Sequence, residues 1–147
     1  MPLPELPDEA VEIGAVVADW RSAVRLSGLV LERSGAATPA YADEMVRMIE
    51  EHGPYVVIAP GLALAHARPG PAVLADGLAI VTLAEPVNFG HPHNDPVRVV
   101  LGLAIKSSDA HLAAVADLAN VFNDSNAIQA LADATTVAEV QAIMGGS

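Results

Sequence analysis

The feature that most constrains the fold is an almost unbroken apolar run, Pro96 to Ile105, with the sequence PVRVVLGLAI. β-Branched residues favour extended backbone, and a run without polar alternation is typical of a strand that is buried on both faces. Such a strand needs neighbouring strands at its edges and other layers over its faces. The run therefore predicts the centre of a sheet in a layered domain of the α/β or α+β class.

The spacing of apolar residues and the positions of capping residues, prolines and glycines predict the other helices and strands. Thr38 is the expected N-cap of a helix with Pro39 at its first position and Gly53 at its end, and Ser107, Ser108 or Asp109 is the expected cap of a later helix. Helices are predicted over residues 19–34, 39–51, 107–122 and 125–131 and after Thr136, and strands over residues 55–58, 62–66 and 77–83. In the 107–122 helix, an apolar stripe is expected to consist of Leu112, Val115, Leu118, Ala119 and Phe122.

The length of the chain and the lack of a dividing linker or repeat favour one domain over residues 1–147. A chain of 147 residues is long enough to close a single hydrophobic core, and no linker or repeat divides it. Aromatic residues make up only 3% of the chain, so this core must be aliphatic and rich in alanine. Residues 1–10 and 145–147 are expected to be loose. The alanine-rich helices also leave room for packing in a homodimer.

Charge and cysteine content exclude several classes of function. Seven basic residues against 18 acidic ones give a formal net charge of −11, which provides no basic footprint for nucleic acid or for an anionic membrane surface. A basic protein is the better partner. The chain has no cysteine, which removes disulfides and thiolate chemistry and agrees with a cytoplasmic protein. No signal peptide and no apolar window long enough to span a membrane are recognisable, so membrane insertion is not expected.

His66 is the leading candidate nucleophile. It ends the segment GPYVVIAPGLALAHARP, residues 53–69, where an apolar strand gives way to a loop that carries Arg68. A neutral imidazole nitrogen is nucleophilic near pH 7, and a strand end can present it to a partner. Because Ala63, Ala65 and Ala67 alternate with larger residues, we expect the alanine side to leave the ring open to a bulky partner. The alternative is a core histidine with a structural hydrogen bond.

His111 is the second candidate. It falls in the first turn of the predicted 107–122 helix, whose N-terminal N–H groups favour negative charge such as a phosphoryl group. If His111 and His66 meet at one edge of the sheet, the second imidazole can donate a hydrogen bond to that group. A separation of 45 residues (111 − 66) does not itself establish this proximity.

The remaining histidines have weaker claims. His91, His93 and Asp95 form a short cluster that could bind a metal, but the surrounding glycine and prolines indicate a surface turn. His52 precedes Gly53 at a predicted helix end, where contact with the helix dipole is the simpler role. No phosphate-binding loop, dinucleotide fingerprint or hydrolase elbow is present in the sequence.

Several of these motifs occur together in one protein family. The chain resembles the enzyme IIA domain of the mannitol/fructose class of the bacterial phosphotransferase system, especially its ascorbate-type branch. The resemblance rests on Tyr41 and Met45, on residues 53–69, on EPVNFGHPHNDPV at residues 85–97, and on the apolar strand followed by DAHL at residues 109–112. It implies a mixed sheet flanked by helices on both sides.

The resemblance also implies a function. His66 would accept a phosphoryl group from phosphorylated HPr and pass it to a cysteine of enzyme IIB, while His111 would stabilise the phosphorylated site. No metal, nucleotide or other cofactor is implied. The family usually has proline before the active histidine, where this chain has Ala65, and mannitol-type members have an arginine where this chain has Met48. Arg68 is the candidate electrostatic replacement.

Two other functions remain open at this point. A regulatory protein of the same fold would use His66 phosphorylation to control binding to a transcription factor or a transporter. A metal-dependent enzyme would instead be centred on His91, His93 and Asp95. Transfer to a IIB cysteine separates the carrier from the regulator, and bound metal in the purified protein identifies the third function.

Overall fold

The structure, a computed structural model, describes residues 6–145. A 3₁₀ turn at Asp8–Ala10 precedes the regular elements. The strands of this range are β1 (Val11–Ala15), β2 (Val57–Ala59), β3 (Leu62–His66), β4 (Gly77–Val87) and β5 (Val97–Ala104). The helices are α1 (Trp20–Arg33), α2 (Ala40–His52), α3 (Ser108–Val121), α4 (Ser125–Asp133) and α5 (Val137–Gly145).

The strands form one mixed sheet in the order β1-β4-β5-β3-β2. The apolar run that becomes β5 is the middle strand, as its composition predicted, and pairs antiparallel with β4 and parallel with β3. The outer strands β1 and β2 pair parallel with β4 and antiparallel with β3, respectively. The predicted mixed sheet in an α/β fold is confirmed.

The two faces of the sheet are covered by different helices and different sizes of side chain. Helices α1 and α2 pack against a face that is rich in alanine and valine. Leucine and isoleucine side chains predominate on the other face, which packs against α3, α4 and α5. A Cβ at Gly102 would lie 3.2 Å from atoms of both Ser27 and Leu31, so the missing side chain lets α1 lie directly on β5. The helices on both sides agree with the fold that the resemblance implied.

The alanine residues near His66 do not leave an open side, and that expectation is wrong. Ala63, Ala65 and Ala67 are buried in the cluster beneath α1 and α2. Alternation along a strand separates two faces, but it does not say which face a helix covers. Small side chains here allow close helix packing rather than access for a partner.

The N-terminal segment is more ordered than expected. The sequence was expected to be loose over residues 1–10, yet Asp8–Ala10 forms a 3₁₀ turn and Ala10 is buried. The missed strand β1 follows at once, and its Gly14 N–H donates to Thr82 Oγ1 at 2.9 Å. Residues 1–5 lie outside the described range. At the other end, Gly145 belongs to α5, whereas residues 146–147 also lie outside that range.

Two helix details differ from the prediction. No side-chain hydrogen bond caps the start of α2 at Pro39; instead the carbonyl oxygen of Thr38 accepts from the Tyr41 N–H at 3.1 Å. Leu112 and Ala119 were expected in the buried stripe of α3, but Leu112 is 70% exposed and Ala119 is also exposed. The buried residues of α3 are Ala114 and Leu118. Across residues 6–145, every helix is too short or too polar to cross a membrane.

Candidate functional site

A cleft of about 570 Å³ lies where β3 ends and α3 begins. His66 is the last residue of β3 and pairs in register with Leu103 of β5. The chain leaves β5 at Ala104 and enters α3 within a few residues, so parallel pairing of the strands brings the start of α3 beside His66. The residues that line the cleft are Met48, His52, Tyr55, His66, Ala67, Arg68, Pro69, Ser108, His111 and Leu112.

The ring of His66 is held by its own strand. Its Nδ1 lies 2.8 Å from the carbonyl oxygen of Leu64. A carbonyl only accepts, so Nδ1 carries the proton and the neutral ring has its free lone pair on Nε2. Burial lowers the pKa of His66 below 6.5, and the Leu64 hydrogen bond opposes this shift only in part. At neutral pH the ring is therefore uncharged and has a free lone pair on Nε2.

His111 lies beside His66, as the hypothesis of convergence requires. The two ring centroids are 5.2 Å apart and the rings are tilted by 51°. Burial lowers the pKa of His111, and the neighbouring His66 lowers it further. The buried Nδ1 of His111 has no hydrogen-bond partner among the described residues. The second ring is thus a neutral group with unused hydrogen-bonding capacity next to His66.

Helix α3 adds positive potential to the same side of the cleft. The Ser107 hydroxyl accepts from the Ala110 N–H at 3.2 Å, and Ser107 O accepts from the His111 N–H at 2.9 Å. His111 is therefore fixed in the first turn of a 14-residue helix, as predicted. The positive end of the helix dipole favours an anion close to this turn.

Tyr55 and Arg68 also line the cleft. The Tyr55 and His66 rings meet edge to face, with centroids 5.8 Å apart and planes at 90°. Burial raises the pKa of Tyr55, while the positive charge of Arg68 opposes the shift, which indicates that the two side chains are near each other. Arg68 is exposed and lines the cleft, so its cation is available to a group bound at His66. Tyr55 was not predicted as a site residue because the sequence pattern placed it within a strand, whereas it lies in a turn before β2.

Helix α2 contributes its last turn to the rim. Met48 lines the cleft, whereas Arg47 lines a neighbouring cavity of about 360 Å³ that also contacts Arg68. His52 ends α2 and places its ring 6.3 Å from that of Tyr55. The cation on this side of the cleft is thus Arg68 rather than an arginine of α2, and His52 lies on the rim in addition to ending the helix.

The His91 to Asp95 segment is built as a turn. The Asp95 carboxylate accepts from the N–H groups of Phe89, Gly90 and His91 at 2.7–3.1 Å. His91 Nδ1 accepts from the N–H groups of His93 and Asn94 at 3.1 and 3.0 Å. These atoms are committed to backbone groups, which fits a turn, and residues 6–145 contain no cluster of three or more His, Cys, Asp or Glu arranged to hold a metal.

Comparison with known proteins identifies the family to which this site belongs. The profile of the family described as "Phosphoenolpyruvate-dependent sugar phosphotransferase system, EIIA 2" matches residues 6–145. The chain belongs to this EIIA family. Two similar proteins are the ascorbate-specific PTS system EIIA components of Shigella boydii and Escherichia coli K12, which are 32% and 31% identical over 134 residues. Each alignment covers 90% of this chain and 87% of the relative.

A solved structure gives the same family assignment. The EIIA chain is similar to the structure described as a complex of enzyme IIAMTL and phosphorylated enzyme IIBMTL from Escherichia coli, with a TM-score of 0.85 and 26% identity. The match covers 97% of this chain and 99% of the other. The resemblance inferred from the motifs is therefore confirmed, and the EIIA chain is a protein of the sugar phosphotransferase system.

Proposed function

We propose that this EIIA protein is a cytoplasmic phosphocarrier in which His66 accepts a phosphoryl group from phospho-HPr and passes it to a cysteine of enzyme IIB. The observation that carries the proposal is the hydrogen bond between His66 Nδ1 and the Leu64 carbonyl. It reserves the Nε2 lone pair for attack at phosphorus.

Each transfer exchanges one bond for another. The Nε2 lone pair of His66 forms the new N–P bond, and the electron pair of the bond that breaks at phosphorus stays on the donor group of HPr. The Nδ1 proton of His66 is retained, so the phosphorylated ring has positive character that the Leu64 carbonyl oxygen stabilises. In the second transfer a IIB thiolate attacks phosphorus, and the departing pair restores the neutral His66 ring.

The surrounding groups are suited to the charge of the phosphoryl group. His111 can donate a hydrogen bond to a phosphoryl oxygen, and the positive end of α3 lies in the same wall. Arg68 adds a cation from the β3 side. A group fixed near the charge that moves during transfer lowers the barrier without reorganising at that moment.

The comparisons and the net charge support the proposed partners and substrate class. Enzyme IIB is the partner in the similar mannitol-type complex, and we carry that partner over to this chain. A net charge of −11 favours encounter with a donor that presents a basic surface. The two curated relatives are ascorbate-specific components, which supports an ascorbate-type uptake system.

The decisive experiment is phosphorylation in vitro. The wild-type protein and the variants His66→Ala, His111→Ala and His91→Ala are incubated with phosphoenolpyruvate, enzyme I and HPr and analysed by intact mass and acid lability. We expect one acid-labile phosphoryl group, lost only in His66→Ala. His91→Ala is the matched control, because this histidine lies in the turn outside the cleft.

Onward transfer separates the carrier from the regulatory function. Phosphorylated wild-type protein should lose its label when a IIB protein is added, and His111→Ala should lose it more slowly. Equal labelling of wild type and His66→Ala would show that the nucleophile is misassigned. Labelling of His66 without transfer to any IIB protein would instead favour the phosphorylation-dependent regulator.

A further inference from the structure

The hydroxyl group of Tyr41 lies inside the sheet next to His66. Tyr41 belongs to α2 and is fully buried. Its Oη lies 2.6 Å from the Leu103 carbonyl oxygen and 3.3 Å from that of Ala67, and it accepts from the Ala67 N–H at 3.0 Å. Burial raises the pKa of Tyr41 to about 12, so the hydroxyl keeps the proton that it donates. One side chain thus satisfies backbone groups of two strands.

The hydroxyl occupies the position of a backbone hydrogen bond of the sheet. The Leu64 N–H donates to Val56, on the side of β3 away from β5. Backbone groups alternate along a strand, so Ala65 and Ala67 direct theirs towards β5. With His66 in register with Leu103, the next bond of the parallel ladder would run from the Ala67 N–H to the Leu103 carbonyl. Tyr41 bridges these two groups instead.

This insertion ends the pairing of β3 with β5 at His66. The bridge consists of a 3.0 Å and a 2.6 Å hydrogen bond in series, so it holds the two strands further apart than a single backbone bond would. His66 is consequently the last paired residue, and the chain diverges at Ala67 towards Arg68. The separation opens at the point where the cleft begins.

We propose that Tyr41 is a positioning residue for phosphoryl transfer, whose hydroxyl separates β3 from β5 and thereby fixes the backbone and ring orientation of His66. The inference rests on the proposed function of His66. Without the hydroxyl, either two buried backbone groups lose their partner or the strands close together. Both outcomes displace the residue that follows the nucleophile.

The test removes the hydroxyl and keeps the ring. Tyr41→Phe is compared with wild type and with Thr82→Val, which removes another buried hydroxyl that accepts a backbone N–H. Thr82 is paired with Val99, which pairs in turn with Leu62, so the control lies at the end of β3 away from His66. The readouts are the rate of phosphorylation by phospho-HPr and the ¹⁵N chemical shifts of the His66 ring, both measured on folded protein.

We expect Tyr41→Phe to slow phosphorylation by about 10- to 100-fold, the loss that small misplacements of reacting groups produce. The ring shifts should also show a smaller population of the Nδ1–H tautomer. Thr82→Val should leave both readouts at the wild-type values, even if it unfolds more easily. Wild-type ring shifts together with a rate within twofold of wild type in Tyr41→Phe would overturn the inference.

Two outcomes need a different readout: a Tyr41→Phe variant that does not fold, and a wild-type protein that is not phosphorylated. If Tyr41→Phe does not fold, hydrogen exchange in the wild type decides: a slowly exchanging Tyr41 hydroxyl and Ala67 amide support the bridge, whereas an Ala67 amide that exchanges as fast as that of Arg68 refutes it. If wild-type protein accepts no phosphoryl group, the proposed function fails, and the ring shifts of the variants still decide whether Tyr41 orients His66.

Discussion

Replacing Gly28 with alanine tests how tightly α2, the helix that carries Tyr41, is held against α1. A Cβ at Gly28 would lie 2.5 Å from the Cβ of Ala42 and 2.9 Å from its Cα, whereas ordinary contact begins at 3.4 Å. The helices must therefore separate by 0.9 Å (3.4 − 2.5) at this crossing. Because backbone lies close behind the Ala42 Cβ, a change of rotamer cannot relieve the overlap.

The expected loss of stability follows from two opposing terms. Overfilling a packed interface costs about 1–3 kcal/mol, while exchanging glycine for alanine within a helix gains about 1 kcal/mol. At the upper end the net loss is about 2 kcal/mol, which lowers Tm by roughly 4–8 °C in a chain of this size. The overlap with a backbone atom places Gly28→Ala towards that upper end.

The same substitution should affect His66 through Tyr41. Tyr41 directly precedes Ala42, and its Oη accepts from the Ala67 N–H at 3.0 Å. A displacement of 0.9 Å transmitted in full would lengthen this distance to 3.9 Å (3.0 + 0.9), beyond hydrogen-bonding range. If the proposed roles of His66 and Tyr41 are correct, phosphorylation should slow in protein that is still folded.

Urea and thermal denaturation measure the first effect, and phosphorylation by phospho-HPr measures the second. The double variant Gly28→Ala/Ala42→Gly is the matched control, because the gain and the loss of helix propensity cancel and the 2.5 Å Cβ–Cβ overlap disappears, which leaves only the 2.9 Å approach to the Cα of residue 42. It should recover part of the lost stability. Gly28→Ala protein as stable as wild type, or a double variant no more stable than the single one, would refute the reasoning.

Three other predictions concern pH and single side chains. Burial lowers the pKa of His66 and of His111 below 6.5, so these two histidines bind more protons in the unfolded chain than in the folded one. The free energy of unfolding should therefore fall as the pH drops through 6.5. The urea midpoint should be lower at about pH 5.5 than at about pH 7.5, and this difference should shrink in the double variant His66→Gln/His111→Gln. Asp95→Ala leaves three backbone N–H groups without their acceptor and should lower the free energy of unfolding, measured in urea, by about 2–3 kcal/mol. An unchanged urea midpoint would show that the turn does not depend on the carboxylate. Arg68→Ala should slow phosphorylation by about 10-fold. This loss is smaller than the roughly 100-fold expected on removing a buried hydrogen-bond donor, because Arg68 is exposed to solvent. An unchanged rate would show that Arg68 is not part of the site.

The local sequence was sufficient to predict strands that are apolar on both faces and helices that begin at a capping residue. β5 was found because it is apolar on both faces, and α3 because Ser107 caps it and Leu118 lies on its buried side. β1 was missed because its five residues follow an acidic segment punctuated by proline, which obscures a short edge strand. Its pairing with β4 is a long-range contact that no local signal reports.

The spacing of apolar residues along the sequence could not predict which side chains meet in the site. His66 and His111 were identified as candidates from their local settings, but their 5.2 Å separation depends on β3 and β5 being parallel neighbours. Before the structure, only the family resemblance implied that arrangement. The hydroxyl of Tyr41 was not assigned a role because its partners, Ala67 and Leu103, lie 26 and 62 residues away in sequence.

The unequal faces of the sheet determine how the protein tolerates mutation. On the face that α1 covers, two glycines mark positions where a side chain does not fit, since a Cβ at Gly77 would overlap Ala36, which follows α1, and one at Gly102 would press on Ser27 and Leu31. On the opposite face, large side chains such as Leu118 and Leu131 fill the space, so there the damage comes from removing atoms. In a library of random variants, substitutions that enlarge a side chain should be depleted on the face that packs against α1. Substitutions that shorten a side chain should be depleted on the face that packs against α3, α4 and α5.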